Sequence, residues 1–261
     1  MTNLLHIAAV KGFAKEAQTY SRGRPDYPAE LDLWLSREVR IGRDTSCVDV
    51  GAGTGKFTRQ LVASGARTFA VEPVGAMREQ LTASLPSVIA LNGTAQCIPL
   101  KDASVDAVVC AQAFHWFATN TALAEFHRVL KPGGRLALIW NVRDESVDWV
   151  TALTEIITPY EGDAPRFYKG DWRRPFQQNP PIGFTALQES RFDYVHEGSP
   201  EQVIVDRFMS VSFIAALPAS TITLVRLKIQ ELIATHPALR EQPTVRFPYT
   251  TRAFMCMRVD R

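Results

Sequence analysis

Asp49, Gly51, Gly53 and Gly55 stand two residues apart, and Glu72 follows 17 residues after the last glycine. An acid leading into alternate glycines can lay backbone N–H groups against one ligand. Glycine accepts positive φ and has no Cβ to hold the ligand away. The amphipathic stretch behind the turn (Phe57, Leu61, Val62) reads as a helix, whose first N–H groups point the same way. The chemistry implied is nucleotide binding. A dinucleotide loop, however, spaces its glycines G-x-G-x-x-G and sets a diphosphate on the helix end. The spacing here is G-x-G-x-G, and Asp49 would repel a diphosphate while suiting an ammonium group. Glu72 closes the run Thr68-Phe69-Ala70-Val71, near the offset of roughly 20 residues at which a carboxylate meets ribose hydroxyls.

A second group is Cys110-Ala111-Gln112-Ala113-Phe114-His115-Trp116-Phe117. His115 is the one side chain in it that titrates near neutral pH, so it is the candidate proton acceptor or orienter. Capping the next helix is the alternative role for it.

These residues need a frame that brings two strand ends together. Hydrophobic patterning predicts strands over 46–50, 68–71, 88–92, 105–111 and 135–140, with helices over 56–63, 76–85 and 120–130. Such alternation gives parallel strands joined by right-handed crossovers, with ligands at the carboxyl ends of the strands. Pro132-Gly133-Gly134 reads as a sharp turn into the strand that ends at Ile139-Trp140-Asn141. Before the glycine loop, a helix ends near Tyr20, a bend follows through Arg24, and a second helix carries Leu31, Trp34, Leu35 and Val39. Beyond 147 come a helix (Trp149, Leu153, Ile156), a Pro-broken lid with Phe167, Tyr168, Trp172 and Arg173-Arg174, and an edge strand over 184–195. Two helices over 200–217 and 219–236 and a closing strand over 244–259 complete the chain. Pro248 should mark an edge or a bulge in that last strand. The fold class expected is α/β: a Rossmann-like, doubly wound, mostly parallel sheet with an antiparallel last strand and helical lid insertions.

Asp49-Val50-Gly51-Ala52-Gly53-Thr54-Gly55 followed by Val71-Glu72-Pro73 resembles the class I S-adenosylmethionine-dependent methyltransferases. The nearest likeness is to the small-molecule branch with the ubiquinone/menaquinone-type, trans-aconitate-type and fungal thiol methyltransferases. It runs from about Phe13 to the C-terminus and is most specific between Val48 and Trp140. The resemblance implies one methyltransferase domain over 1–261. Within it, residues 1–40 cover the cofactor, 41–145 form the cofactor-binding core, and 146–183 and 198–240 form the lid and helical insertions. It implies S-adenosylmethionine as cofactor, with S-adenosylhomocysteine as product. The contacts expected are Tyr20, Asp49, Gly51, Ala52, Gly53, Gly55, Glu72, Pro73, Met77, Thr94, Ala95, Gln112 and Ala113. Thr94 and Ala95 belong to the loop that meets the adenine through a backbone N–H. Phe114, Trp116 and Phe117 would enclose the sulfonium, whose charge is drawn to aromatic faces. The acceptor would be lined by Phe114, His115, Trp116, Trp140, Trp172, Phe208 and Ser212, with Ser210 and Phe213 on the same helix.

The activity implied is transfer of a methyl group to O, N or S of a small molecule by in-line displacement. Alternatives are a relative that binds the cofactor without catalysis, and a nicotinamide-dependent oxidoreductase, which the glycine spacing and Asp49 disfavour. Amino-methylating nucleic-acid enzymes carry Asp/Asn-Pro-Pro-aromatic after strand four, where this chain has Ala111-Gln112-Ala113-Phe114. Cytosine C5 enzymes need a nucleophilic cysteine after Pro or Thr, whereas Cys110 follows Val108-Val109. Metal-dependent catechol-type enzymes need an acidic cluster at this strand end, and none stands there.

Composition is compatible with this reading. The chain has 261 residues, 46% hydrophobic and 21% charged, with a net charge of +2, which makes no case for a nucleic-acid surface. Cys47, Cys97, Cys110 and Cys256 form no C-x-x-C pair, which suggests buried thiols, no metal site and a reducing compartment. Neither a signal peptide nor an apolar run near 20 residues is evident. The expectation is a cytoplasmic protein, monomer or homodimer, without membrane or nucleic-acid partners.

Overall fold

In the computed structural model, residues 23–177 and 183–260 are described. Residues cluster into two compact units. The first comprises Met1–Asp26, Val142–Ala164 and Asp193–Thr250; the second comprises Tyr27–Asn141, Pro165–Phe192 and Thr251–Arg261. Seven strands form one sheet: β1 (Ser46–Val50), β2 (Arg67–Val71), β3 (Ile89–Leu91), β4 (Val105–Ala111), β5 (Leu130–Arg143), β6 (Gln188–Gly198) and β7 (Val245–Met257). Their order is β3-β2-β1-β4-β5-β7-β6. The first five strands pair in parallel, and the last strands are antiparallel. This is the expected mostly parallel, Rossmann-like sheet flanked by helices.

The second unit is built as its sequence suggests. In β1, Cys47, Val48, Asp49 and Val50 are all buried, the continuous burial of a parallel strand covered on both faces. One face carries Leu31, Trp34 and Leu35 of α1 (Glu30–Arg37) and Leu61 of α2 (Thr58–Ala63) against Cys47, Val109, Ile139 and Ala253. Each fully buried aliphatic side chain there contributes about 2 kcal/mol. α3 (Gly75–Ser84) buries Met77 and Leu81. In α4 (Asn120–Val129), Ala122, Leu123, Phe126 and Val129 repeat at helical spacing and are buried, and the Thr119 hydroxyl caps the first turn by accepting from the Ala122 N–H at 3.2 Å.

Two local expectations are corrected. Pro132-Gly133-Gly134 does not end an element but lies inside β5, where the register against β4 jumps from Val105↔Leu130 to Ala107↔Arg135. Gly133, at φ +72°, lets the extra residues bulge out while the ladder resumes. Pro248 marks no edge, since β7 lies between β5 and β6. Its carbonyl accepts from the N–H of Asp144, the residue just past the end of β5, so the proline sits where the ladder to β5 has already run out.

In the first unit, α5 (Asp148–Ile157) and α6 (Ala219–Thr235) are regular helices. The single helix expected over 200–217 is broken. It is a π-helical turn Glu201–Asp206 followed by short helical pieces Arg207–Met209 and Ser212–Ala215.

Candidate active site

The strand order reverses between β1 and β4, so the chains leaving those two strands diverge around a crevice. The loop after β1 is shaped by left-handed glycines: Gly51 at φ +74°, Gly53 at +58° and Gly55 at +85°. A Cβ on Gly51 would lie 2.8 Å from the Ala113 Cβ and 3.3 Å from Phe117, which shows how closely the post-β4 segment approaches. The loop is tied to β2 by the N–H of Gly51, which donates to the Val71 carbonyl at 2.9 Å.

Two carboxylates flank this loop. Glu72, nearly buried, accepts from the Gly53 N–H at 2.9 Å through Oε2 and from the Val74 N–H at 2.8 Å through Oε1. Burial pushes its carboxyl up, and the two backbone donors oppose that. Asp49 is 1% exposed; its Oδ2 accepts from the Thr58 hydroxyl at 2.7 Å, while Oδ1 has no partner among the described residues. Burial raises its carboxyl to about 7, the Thr58 bond opposing and the Glu72 charge adding to the rise. A buried acid with an unsatisfied oxygen beside a loop of open backbone is a seat for a cation.

Of the remaining expected cofactor contacts in this unit, Met77 and Ala113 lie beside the loop glycines. A Cβ on Gly53 would meet Met77 Sδ at 3.8 Å, and Pro73 follows Glu72 directly. After β3, the Thr94 N–H is spent on the Cys97 carbonyl at 3.2 Å, and no hydrogen bond among the described residues engages the N–H of Ala95. Of these two N–H groups, that of Ala95 is the one left open among the described residues. Gln112, at the end of β4, holds φ at +56°, which is unusual for a residue with a side chain. Its N–H donates to the Ile139 carbonyl at 2.8 Å and its side-chain amide to the Asn141 carbonyl at 3.2 Å. Such strain persists where surrounding structure holds it, and it turns Ala113 toward the glycine loop. Tyr20 lies outside the described residues.

The aromatic run after β4 divides into packing and site. Phe114 is fully buried, with Phe117, Phe126 and Phe176 within 6.1 Å of its ring centre. Its ring is packed among those three. Phe117, half-buried and in line with Gly51, is the ring of this run that lies on the loop. His115 sits in the 3-10 turn Phe114–Trp116, with the Trp116 ring 5.2 Å away. The Trp140 indole N–H donates to His115 Nδ1 at 3.0 Å. An indole N–H only donates, so Nδ1 is the unprotonated nitrogen and the neutral ring carries its proton on Nε2. A neutral imidazole so engaged has no vacant lone pair for a substrate proton.

Trp140 and Trp172, both expected at the acceptor, are brought together at 4.7 Å between ring centres, and Phe167 and Phe254 complete the cluster. Phe254 was not singled out in the sequence, because an aromatic in a closing strand looks like ordinary core. Phe208 and Ser212 lie in the other unit. Phe208 is fully buried there, 6.2 Å from the Phe247 ring and under the Arg143 guanidinium, and Ser212 is buried as well. In that same unit Arg24 donates to the Ser210 carbonyl at 3.0 Å. Among the described residues, no helix is long and apolar enough to cross a membrane, and no group of three or more His, Cys, Asp or Glu is placed to hold a metal ion.

Comparison with known proteins gives this geometry a family. Residues 48–138 match the model of a methyltransferase domain. An uncharacterized methyltransferase of Mycobacterium tuberculosis is 40% identical over 250 residues, covering 94% of each chain. A solved chain from Anabaena variabilis shares the fold with a TM-score of 0.65 at 20% identity, over 90% of this chain and 98% of that one. The phosphoethanolamine N-methyltransferase 2 of Haemonchus contortus, solved with S-adenosylhomocysteine, has a TM-score of 0.55 at 12% identity, over 95% of this chain and 58% of that one. With 40% identity sustained across nearly the whole length of a methyltransferase, on a sheet ordered 3-2-1-4-5-7-6, this chain belongs to the class I S-adenosylmethionine-dependent methyltransferases.

Proposed function

We propose that this protein transfers a methyl group from S-adenosylmethionine to O, N or S of a small-molecule acceptor. The observation that carries the reading is the glycine loop between two buried carboxylates, one of which keeps an unsatisfied oxygen. The residues present fit the cofactor. Gly51, Gly53 and Gly55 hold the left-handed turn that, with Ala52, lays backbone against the cofactor, Gly53 having room where a Cβ would stand; Asp49 meets the ammonium, and Glu72 meets the ribose hydroxyls. Pro73 and Met77 flank the ribose and base, the N–H of Ala95 reaches the adenine edge, and Gln112 and Ala113 close the far side of the loop. Bound there, S-adenosylmethionine supplies an electrophilic methyl group on a sulfonium.

The chain's own residues supply alignment. Phe117 presents an aromatic face beside the loop, where a cationic sulfonium is stabilised by about 0.5–2 kcal/mol. Trp116, Trp140 and Trp172 wall the acceptor side and exclude water. His115, its tautomer set by Trp140, orients the acceptor's nucleophilic atom. Such alignment of nucleophile, methyl and leaving group is itself worth several kcal/mol of barrier. The whole chain, residues 1–261, works in this reading as one methyltransferase domain.

Calorimetric titration tests the reading. S-adenosylmethionine and S-adenosylhomocysteine should bind with micromolar affinity, NADH should not, and Glu72→Ala should weaken both by at least tenfold. Binding of NADH instead, or an indifferent Glu72→Ala variant, would overturn it. Turnover with a panel of acceptors then separates an enzyme from a cofactor-binding relative.

A further inference from the structure

The second unit carries a pair of arginines laid over its aromatic cluster. The Arg173 guanidinium carbon lies 4.4 Å from the centre of the Trp172 ring and 5.1 Å from that of Phe254. The Arg252 guanidinium carbon lies 5.1 Å from Phe167 and 5.5 Å from the same Phe254 ring. Two cations therefore share one aromatic ring. Arg252 is held by Glu189, with contacts of 2.6 and 2.7 Å, and Arg191 is a second guanidinium on that carboxylate at 2.8 Å. Arg173 has no ion pair and no side-chain hydrogen bond among the described residues. Desolvation and the neighbouring Arg252 push its guanidinium down from the usual range.

Like charges drawn together over an apolar floor, with one of them uncompensated, form a seat for an anion. Glu189 is shared between Arg252 and Arg191, so Arg173 is the guanidinium of the group without an ion pair of its own. Its planar fork matches the two oxygens of a carboxylate, and the apolar floor favours an organic acid over a hydrated phosphate. The floor beneath is Trp172 and Phe254, and the Phe167 and Trp172 rings stack at 19°; such a floor suits a flat or apolar body. The seat is continuous with the acceptor side, because Trp140 packs in this cluster and also donates to His115.

We propose that Arg173 and Arg252 form the carboxylate-binding end of the acceptor site, and that the methyl acceptor is a small carboxylic acid with an apolar or planar body. This inference rests on the acceptor-site reading above. The competing account is that the arginines only clasp residues 165–177 onto β7.

The test uses the full chain with matched probes: benzoate against benzamide, hexanoate against hexanamide, and inorganic phosphate. Binding is followed by saturation-transfer NMR, with S-adenosylhomocysteine affinity measured on the same samples. The expected result is at least a tenfold preference for each acid over its amide, erased in Arg173→Gln and largely kept in Arg173→Lys. S-adenosylhomocysteine affinity should stay within twofold throughout. Equal binding of acid and amide, a preference that survives Arg173→Gln, a Lys variant as deficient as the Gln variant, or phosphate binding tighter than either acid would each overturn the proposal. So would the absence of acid binding up to about 10 mM. If S-adenosylhomocysteine fails to bind while the acid preference follows Arg173, the methyltransferase reading falls and the anion seat stands.

Discussion

Asp49 is held in a state that its ordinary chemistry resists. Its carboxyl is buried and raised to about 7, so in the native protein it keeps its proton at pH values where the unfolded chain has lost it. Its folded value lies above its unfolded one. The contribution of this group to stability is therefore full at about pH 4 and below, and it is lost as pH rises through about 7. Asp49→Asn should accordingly raise Tm by several degrees at pH 8 and by little at pH 4, as thermal melts across that range would show. The same substitution removes the charge that meets an ammonium, so calorimetry should find S-adenosylmethionine binding weakened at least tenfold. In the unsubstituted protein, affinity for the cofactor should rise as pH passes through about 7 and then level off, because only the ionised carboxylate attracts the ammonium. The orienting role of His115 has its own signature. His115→Gln, whose amide N–H stands in for Nε2–H, should keep kcat within about tenfold, while His115→Ala should lose about a hundredfold. Equal losses would restore the general base. Sequence alone proposed proton acceptance for His115 because its type permits it. The bond from Trp140, 25 residues away in the chain, is what assigns the tautomer.

At the scale of elements, the loop after β1 and the segment after β4 are set by mutual contact. Gly51→Ala would bring a methyl group 2.8 Å from Ala113 Cβ while also forcing alanine to a φ of +74°. The combined cost should be about 2–4 kcal/mol, with cofactor binding lost. Adding Ala113→Gly should relieve the clash but not the backbone strain, so chemical denaturation should show only partial recovery. A second contact closes the chain's end. Arg258 donates through its guanidinium to the carbonyls of His127 and Leu130 and pairs with Asp260 at 2.8 Å, while its N–H donates to the Gly134 carbonyl. Arg258→Ala should lower Tm by several degrees and leave cofactor affinity unchanged, since the carbonyls it leaves are far in sequence and role from the loop. Strands β1, β2 and β4 and helix α4 are legible from apolar runs and capping residues alone. The bulge at Pro132-Gly133-Gly134 and the interior place of Pro248 are not, because both depend on which strand lies alongside.

At the scale of the molecule, a ligand that binds only the folded chain stabilises it by mass action. S-adenosylmethionine at a hundred times its Kd should contribute about 2.7 kcal/mol and raise Tm by roughly 5–10 °C. A scan with NADH in its place should leave Tm unmoved. The sequence by itself determined the sheet class, the alternate-glycine loop after β1 flanked by Asp49 and Glu72, and the methyltransferase family, because each is written in contiguous spacing: alternate glycines, a strand-end acid, apolar runs of strand length. What tertiary structure alone decided are the relations between distant residues. It packed Phe114 among Phe117, Phe126 and Phe176 and set Phe117 beside Gly51. It gave Trp140 to His115 Nδ1, and it drew Arg173 and Arg252, 79 residues apart, onto one phenylalanine ring. Spacing along a chain records local geometry, whereas burial, tautomer and charge balance belong to whatever the fold brings alongside.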